Sequence, residues 1–399
     1  MLQRLIHSAR VNVFESARFY YFMLWALIGY DIVREFVQKS VWVFWGEKFL
    51  VPREIIGVLF FLFACCVLLS AWFLRKKIEK NFYFFLGSIL ALSVFNELRY
   101  MISSENYSII ESLKTSQGYY LAKIIFPFLF FGFWPIIDND KSYTQKFIQV
   151  LERLFLINAA LLIFGGLIGG LSIMESYPLS GRWGYSGVLM NRVVTQLIYG
   201  LLLIYTWKPE KPFDLKSLVF ILCLLVSGQK AGLLWVGLFL FIIVIKNQLW
   251  RILMVGLGVS FVALFPFIIK KLVRISPFWE NVYETYGTWG VFFSTRNYTI
   301  AGVWENTKKT SSWVDWLFGG ISRYPLDIEM LALDLFIYFG AFGLIISAWF
   351  FIKWVPSWKW GVPLIVSMVA GGIIGYPMMT LIYFMMLVLV KKTTICHVV

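Results

Sequence analysis

Apolar runs of about 15–22 residues, long enough or nearly so to cross a bilayer, recur along this chain with short polar breaks between them. They predict helices near 17–33, 55–74, 82–101, 119–137, 147–170, 189–206, 216–228, 231–246, 251–269, 329–352, 361–375 and 378–390. Gly375-Tyr376-Pro377 interrupts the last pair, where proline removes a helical donor and permits two short helices or one bent one. The pattern is that of an all-α polytopic membrane protein, with about twelve spanning helices in a single transmembrane domain over residues 1–399. One long insertion, 270–328, separates two runs. Structureless loops of this length are uncommon, so short helices lying over the mouth of the bundle are expected there. Ile300–Thr307 reads as partly helical and Gly319-Gly320 as a turn. No soluble second domain, internal repeat or low-complexity tract is evident.

Composition agrees with lipid as the solvent. Hydrophobic residues make up 60% of the chain and charged residues 15%, too few polar groups to cover a water-facing surface. Many of the 18 tryptophans stand near the ends of apolar runs, as an interfacial belt requires. Arg4, Arg10 and Arg18 precede the first run with no convincing cleavage site after it, so that run is expected to remain as an anchor. Cys65, Cys66, Cys223 and Cys396 lie in or beside apolar segments and read as small hydrophobic residues. With His7 and His397 at opposite termini, no metal site and no cofactor are expected.

Charge sets the orientation. Arg75-Lys76-Lys77 with Lys80, Lys141 with Lys146, Lys208 with Lys211 and Lys216, Lys246 with Arg251, Lys353 with Lys359, and Lys391-Lys392 fall at alternate ends of the runs. The positive-inside rule then places them, and both termini, in the cytoplasm. Loops 34–54, 102–118, 171–188 and 270–328 face outward. Those loops are also cationic, with Arg34, Lys39, Lys48, Arg53, Lys114, Arg182, Lys270, Lys271, Arg274, Arg296, Lys308, Lys309 and Arg323. Cations outside work against the topogenic bias, so an anionic ligand on that face is the simplest use for them. Pairing with Glu35, Glu47, Glu280, Glu284 and Glu305 is the plainer alternative.

Four segments carry candidate chemistry. Ser180-Gly-Arg182-Trp-Gly-Tyr-Ser-Gly187, followed by Asn191 and Arg192, brackets a glycine-rich turn with two arginines, a combination suited to a phosphate. Leu225-Val-Ser-Gly-Gln-Lys230-Ala-Gly-Leu233 is a minimal polar break that leaves Lys230 at or just below the membrane surface, either snorkelling or functional. The third is Phe293-Ser-Thr-Arg296-Asn297, with Trp304 and Trp316-Leu-Phe-Gly-Gly320 after it. The fourth runs from Arg323 through Glu329 to Asp334 and Gly340-Ala-Phe-Gly343. Desolvation at the start of an apolar span makes Glu329 a candidate base, and a salt bridge to arginine is its structural alternative.

In this order the segments over about 180–345 resemble the bacterial O-antigen polymerase (Wzy-type) and O-antigen ligase superfamily, in its repeat-unit polymerase branch. The resemblance implies a GT-C-type glycosyltransferase of the bacterial inner membrane, acting on undecaprenyl-diphosphate-linked oligosaccharide at the external face. It implies no nucleotide sugar and no metal. The expected partners are membrane lipid and a protein that sets chain length, not nucleic acid. Arg182 and Arg296 match the family's paired external arginines, and Lys230 stands where relatives often carry arginine. Glu329 and Asp334 match an acidic pattern of polymerases. Ligases tend to place a functional histidine in the large loop, and this chain has none there. Arg182, Arg192, Lys230, Arg296 and, more weakly, Arg323 are expected to hold the diphosphate, with Glu329 activating the acceptor. Trp279, Tyr283, Tyr286, Trp289 and Trp304 are candidates for stacking on sugar. A ligase and a lipid-linked oligosaccharide flippase remain the competing readings.

Overall fold

A computed structural model describes residues 17–45, 80–103, 141–178, 182–245, 267, 270–271, 273–274, 276–293, 296–320, 330–370 and 376–395. Within them the protein is all-helical, with isolated bridges and no sheet. The α-helices are α1 (Ala17–Trp45), α2 (Lys80–Ser103), α3 (Lys141–Leu161), α4 (Arg192–Thr206), α5 (Leu215–Val226), α6 (Lys230–Ile245), α7 (Pro277–Phe293), α8 (Arg296–Thr310), α9 (Trp313–Phe318), α10 (Leu331–Trp354), α11 (Val362–Ala370) and α12 (Pro377–Ile395). The predicted runs 55–74 and 119–137, and nearly all of 251–269, lie outside the described residues, as do Cys65, Cys66, Cys396 and both histidines.

Two described helices are long and apolar enough to cross a membrane: α3 with its π-helical continuation (Lys141–Ile168, 28 residues) and α10 (24 residues). The insertion 270–328 holds α7, α8 and α9, and Ile300–Thr307 lies within α8. One boundary departs from its prediction. α1 does not stop near residue 33 but continues to Trp45. The polar residues that suggested a loop, Asp31, Glu35 and Lys39, recur every fourth position and are all buried. Glu35 pairs with Arg34 and Lys39 bonds Ser186 and Gly187, so the helix need not end where its apolar run does.

The chain divides into two compact units, one comprising Met1–Asp31, Pro52–Arg153 and Thr310–Val399, the other Ile32–Val51 and Leu154–Lys309. In the first, α2 packs on α10 through Phe85 and Phe350, stacked with centroids 4.4 Å apart. α9 begins with a capping box from Ser312 and Asp315. α10 is kinked at Gly340, whose φ of 66° and lack of a side chain let the backbone of Leu317–Gly319 approach; a Cβ there would lie 2.4 Å from the Leu317 carbonyl oxygen. Asn96 secures this junction by donating from Nδ2 to the carbonyls of Phe318 (2.9 Å) and Tyr338 (3.2 Å). Asn96→Leu strands both carbonyls and is expected to cost about 1–3 kcal/mol, read as a lowered Tm of the purified protein in detergent.

The second unit is built around α4, where every residue from Val194 to Ile204 is buried. Asn191 caps α4 by accepting from the Val193 N–H at 3.0 Å, and Asp214 caps α5 by accepting from the Ser217 N–H at 2.8 Å. α5 and α6 flank α4, and α3 reaches it through Phe155, edge-on to the Tyr199 ring.

Candidate anion-binding site

Two of the polar segments, Arg182–Gly187 and Val226–Lys230, are held together in the second unit, directly and through Ser176. The Tyr185 N–H donates to the Val226 carbonyl at 2.9 Å, and the Ser176 hydroxyl donates to the Ser227 carbonyl at 2.9 Å. Short bonds from Ser176 N–H to the Gly184 carbonyl (2.8 Å) and from Ser186 N–H to the Met174 carbonyl (2.9 Å) add the strand before them. Glycine is required at the crossing. A Cβ on Gly184 would sit 2.4 Å from the Ser227 oxygen, and one on Gly228 (φ 66°) would sit 2.2 Å from the Trp183 oxygen. The contact turns two degenerate sequence motifs into one site.

Three cations meet there on a continuous run of aromatic rings. The Arg192 guanidinium lies 4.0 Å from the Tyr177 ring, which Arg182 shares at 4.8 Å. Arg182 also stacks 3.5 Å from Phe278 and 5.7 Å from Trp279, and the Lys230 ammonium lies 4.7 Å from Trp279. Tyr177 comes from the segment ahead of the Arg182 turn, while Phe278 and Trp279 form the first turn of α7 in the long insertion. Each such contact contributes about 0.5–2 kcal/mol, which offsets the repulsion of gathering like charges. Stacking engages the faces of a guanidinium, whereas its N–H donors point outward in the plane. A cluster of cations held in this way suits an anion.

Further polar groups lie on the same segments or are bonded to them. Arg192 donates to the Ser176 carbonyl at 3.4 Å. Lys39, from the far end of α1, is buried and donates to Ser186 Oγ at 2.9 Å and to the Gly187 carbonyl at 2.7 Å. Glu175, beside Ser176, has its carboxyl raised above the usual range chiefly by burial, partly opposed by a Ser172 hydrogen bond and by Lys39. Two buried amide nitrogens, Nε2 of Gln196 and of Gln229, have no hydrogen-bond partner among the described residues. Gln196 lies one turn beyond Arg192 on α4, and Gln229 adjoins Lys230. A buried donor of this kind can take a water or a ligand.

Of the residues predicted from sequence, Arg182, Arg192 and Lys230 are thus brought together. The backbone of Arg296 opens α8 in the same unit, but its side chain is outside the described residues, as are Arg323 and Glu329 altogether. Asp334 is buried in the first turn of α10, in the first unit. Trp279, marked in the sequence for sugar stacking, instead carries two of the cations. Tyr286 packs against Tyr298 at 4.9 Å, and Trp304 lies beside Lys308. The plainer reading of the external cations holds for Arg34, which pairs with Glu35 at 3.8 Å. Tyr177, Phe278 and Gln196 were not legible as site residues, and Lys39 stood only as one of the many external cations. Gln196 alone offered a signal, a polar side chain inside an apolar run one turn from an arginine. Among the described residues no group of three or more histidine, cysteine or acidic side chains is placed to hold a metal ion.

The chain matches no protein-family model, and no curated protein or solved structure is significantly similar to it.

Proposed function

We propose that this protein is a polytopic inner-membrane glycosyltransferase that polymerises undecaprenyl-diphosphate-linked oligosaccharide repeat units at the external face. The reading rests on one observation above all: Arg182, Arg192 and Lys230 converge on the ring series Tyr177, Phe278 and Trp279. The positive-inside assignment puts all of these segments at the outer ends of their helices. The membrane reading draws on the two long apolar helices and on large apolar side chains that face out from the helices, such as Ile168 on the continuation of α3 and Ile352 on α10, 70% and 75% exposed.

The reaction is a displacement at an anomeric carbon. A hydroxyl oxygen of the acceptor unit forms the new glycosidic bond, and the bond to the lipid diphosphate breaks with its electron pair leaving on oxygen. Fixed cations that stabilise that oxygen lower the barrier most where water is scarce. The hydroxyl proton passes to a base, for which Glu329 is the candidate carried from the sequence. As proposed, the activated donor is already made, and the reaction uses no nucleotide sugar and no metal.

Reconstitution into proteoliposomes with lipid-linked repeats supplied on the external side tests this reading. A ladder of glycan lengths is the expected product. A single transfer to a second acceptor would favour the ligase reading, and passage across the bilayer with no new bond would favour the flippase.

A further inference from the structure

We propose that Lys39 is a fourth cation of the diphosphate site, a positioning residue that ties the outer end of α1 to the Ser186–Gly187 turn and adds a buried positive charge within reach of Arg192. This rests on the function proposed above. Lys39 reads in the sequence as one of many external loop cations, yet its side chain is only 4% exposed. Burying an ammonium costs far more than leaving it in water, unless its surroundings use the charge. Its Nζ donates to Ser186 Oγ and the Gly187 carbonyl at 2.9 and 2.7 Å. The same turn is gripped from α3 by Asn158, which donates to the Ser186 carbonyl at 3.2 Å and accepts from the Val188 N–H at 3.3 Å. A Cβ on Gly187 would meet Asn158 at 2.2 Å, so the turn fits closely between the two helices. The turn leads directly into the Asn191 cap of α4 and so sets where Arg192 begins.

The charges around Lys39 are Arg34 and Glu35 on its own helix, Glu175 on the strand before the Arg182 turn, and Arg192 on α4. Burial, the largest influence, pulls Lys39 down to about 8; Glu35 and Glu175 oppose it and Arg192 adds to it. A bound dianion acts in the opposite direction to burial and favours the charged form. By linkage, the affinity that Lys39 contributes is fully present below about pH 8, the value without ligand, and is lost as pH rises above it toward the higher value of the bound state.

The test measures binding of farnesyl diphosphate, a short polyprenyl diphosphate, to the purified full chain in detergent between pH 7 and 9.5. Wild type, Lys39→Met and Lys39→Arg are compared, each with its thermal unfolding curve. The probe's own last proton titrates near pH 6, below this window. Wild-type affinity is expected to fall about tenfold across pH 8. Lys39→Met should bind about tenfold more weakly at pH 7 with a flat profile, and Lys39→Arg should keep its affinity at pH 9. If Lys39→Met fails to fold, the arginine variant decides, because a slope equal to that of wild type overturns the proposal. So does a well-folded Lys39→Met that matches wild type at every pH, and that result leaves the glycosyltransferase reading standing. Absence of farnesyl diphosphate binding to wild type overturns both. Equal competition by phosphatidylglycerol micelles would make the site a reader of bulk anionic lipid and also overturns the proposal.

Discussion

Replacing Arg182 with alanine is expected to lower the rate of glycan chain formation by about 100-fold, the scale on which one preorganised charge-stabilising donor acts. Arg182 is the middle of the series. Its guanidinium touches Tyr177, Phe278 and Trp279, so its loss removes both the proposed phosphate-binding group and the link between Arg192 and Lys230. Arg182→Lys keeps a charge but not the planar fork and should retain only part of the activity, about tenfold below wild type. The exposed Lys308, beside Trp304 and away from this ring series, serves as a control, and Lys308→Ala should stay within about twofold of wild type. Time courses of ladder formation in proteoliposomes measure all three, with expression level and Tm recorded alongside. Full-length ladders at wild-type rate from Arg182→Ala would remove it from the mechanism.

Gly228→Ala is expected to be the most damaging small substitution in the second unit. The new methyl group would meet the Trp183 carbonyl oxygen at 2.2 Å, far inside contact distance, and would also have to adopt a φ of 66°. The left-handed conformation alone costs about 1–2 kcal/mol. With the overlap, the total should exceed about 4 kcal/mol, enough to prevent accumulation of folded protein or to part the two clasped segments. Gly237→Ala on α6 is the matched comparison. Nothing lies within 4 Å of a Cβ there, so the change should be neutral or stabilise the helix by up to about 1 kcal/mol. Detergent melting curves distinguish the two, and equal Tm values would show that the clasp is not tight.

Hydropathy located the described helices outside the insertion because each contains an apolar run, and the insertion announced its short helices by its length. It misplaced the end of α1 because a run of polar residues looks like a loop whether water or protein satisfies it. Only tertiary packing around Asp31, Glu35 and Lys39 distinguishes the two. Arg182, Arg192 and Lys230 stood out for a related reason, since charge is conspicuous beside apolar runs. Their aromatic partners did not. Phe278 and Trp279 sit in a chain in which 19% of residues are aromatic, and no local pattern tells a ring that carries a guanidinium from one that fills a gap. Lys39 and Ser186 are joined by the fold across a large sequence separation, beyond any periodicity argument.

The clasp between the Arg182 turn and the Lys230 break is made of amides, carbonyls, absent side chains and one serine hydroxyl. Trp183 lends it only a carbonyl, and its indole ring is 44% exposed. Neighbouring side chains are therefore open to exchange without shifting the cations, provided that the glycines stay. A molecule organised in this way separates a fixed charge-holding frame from a rim that can be retailored.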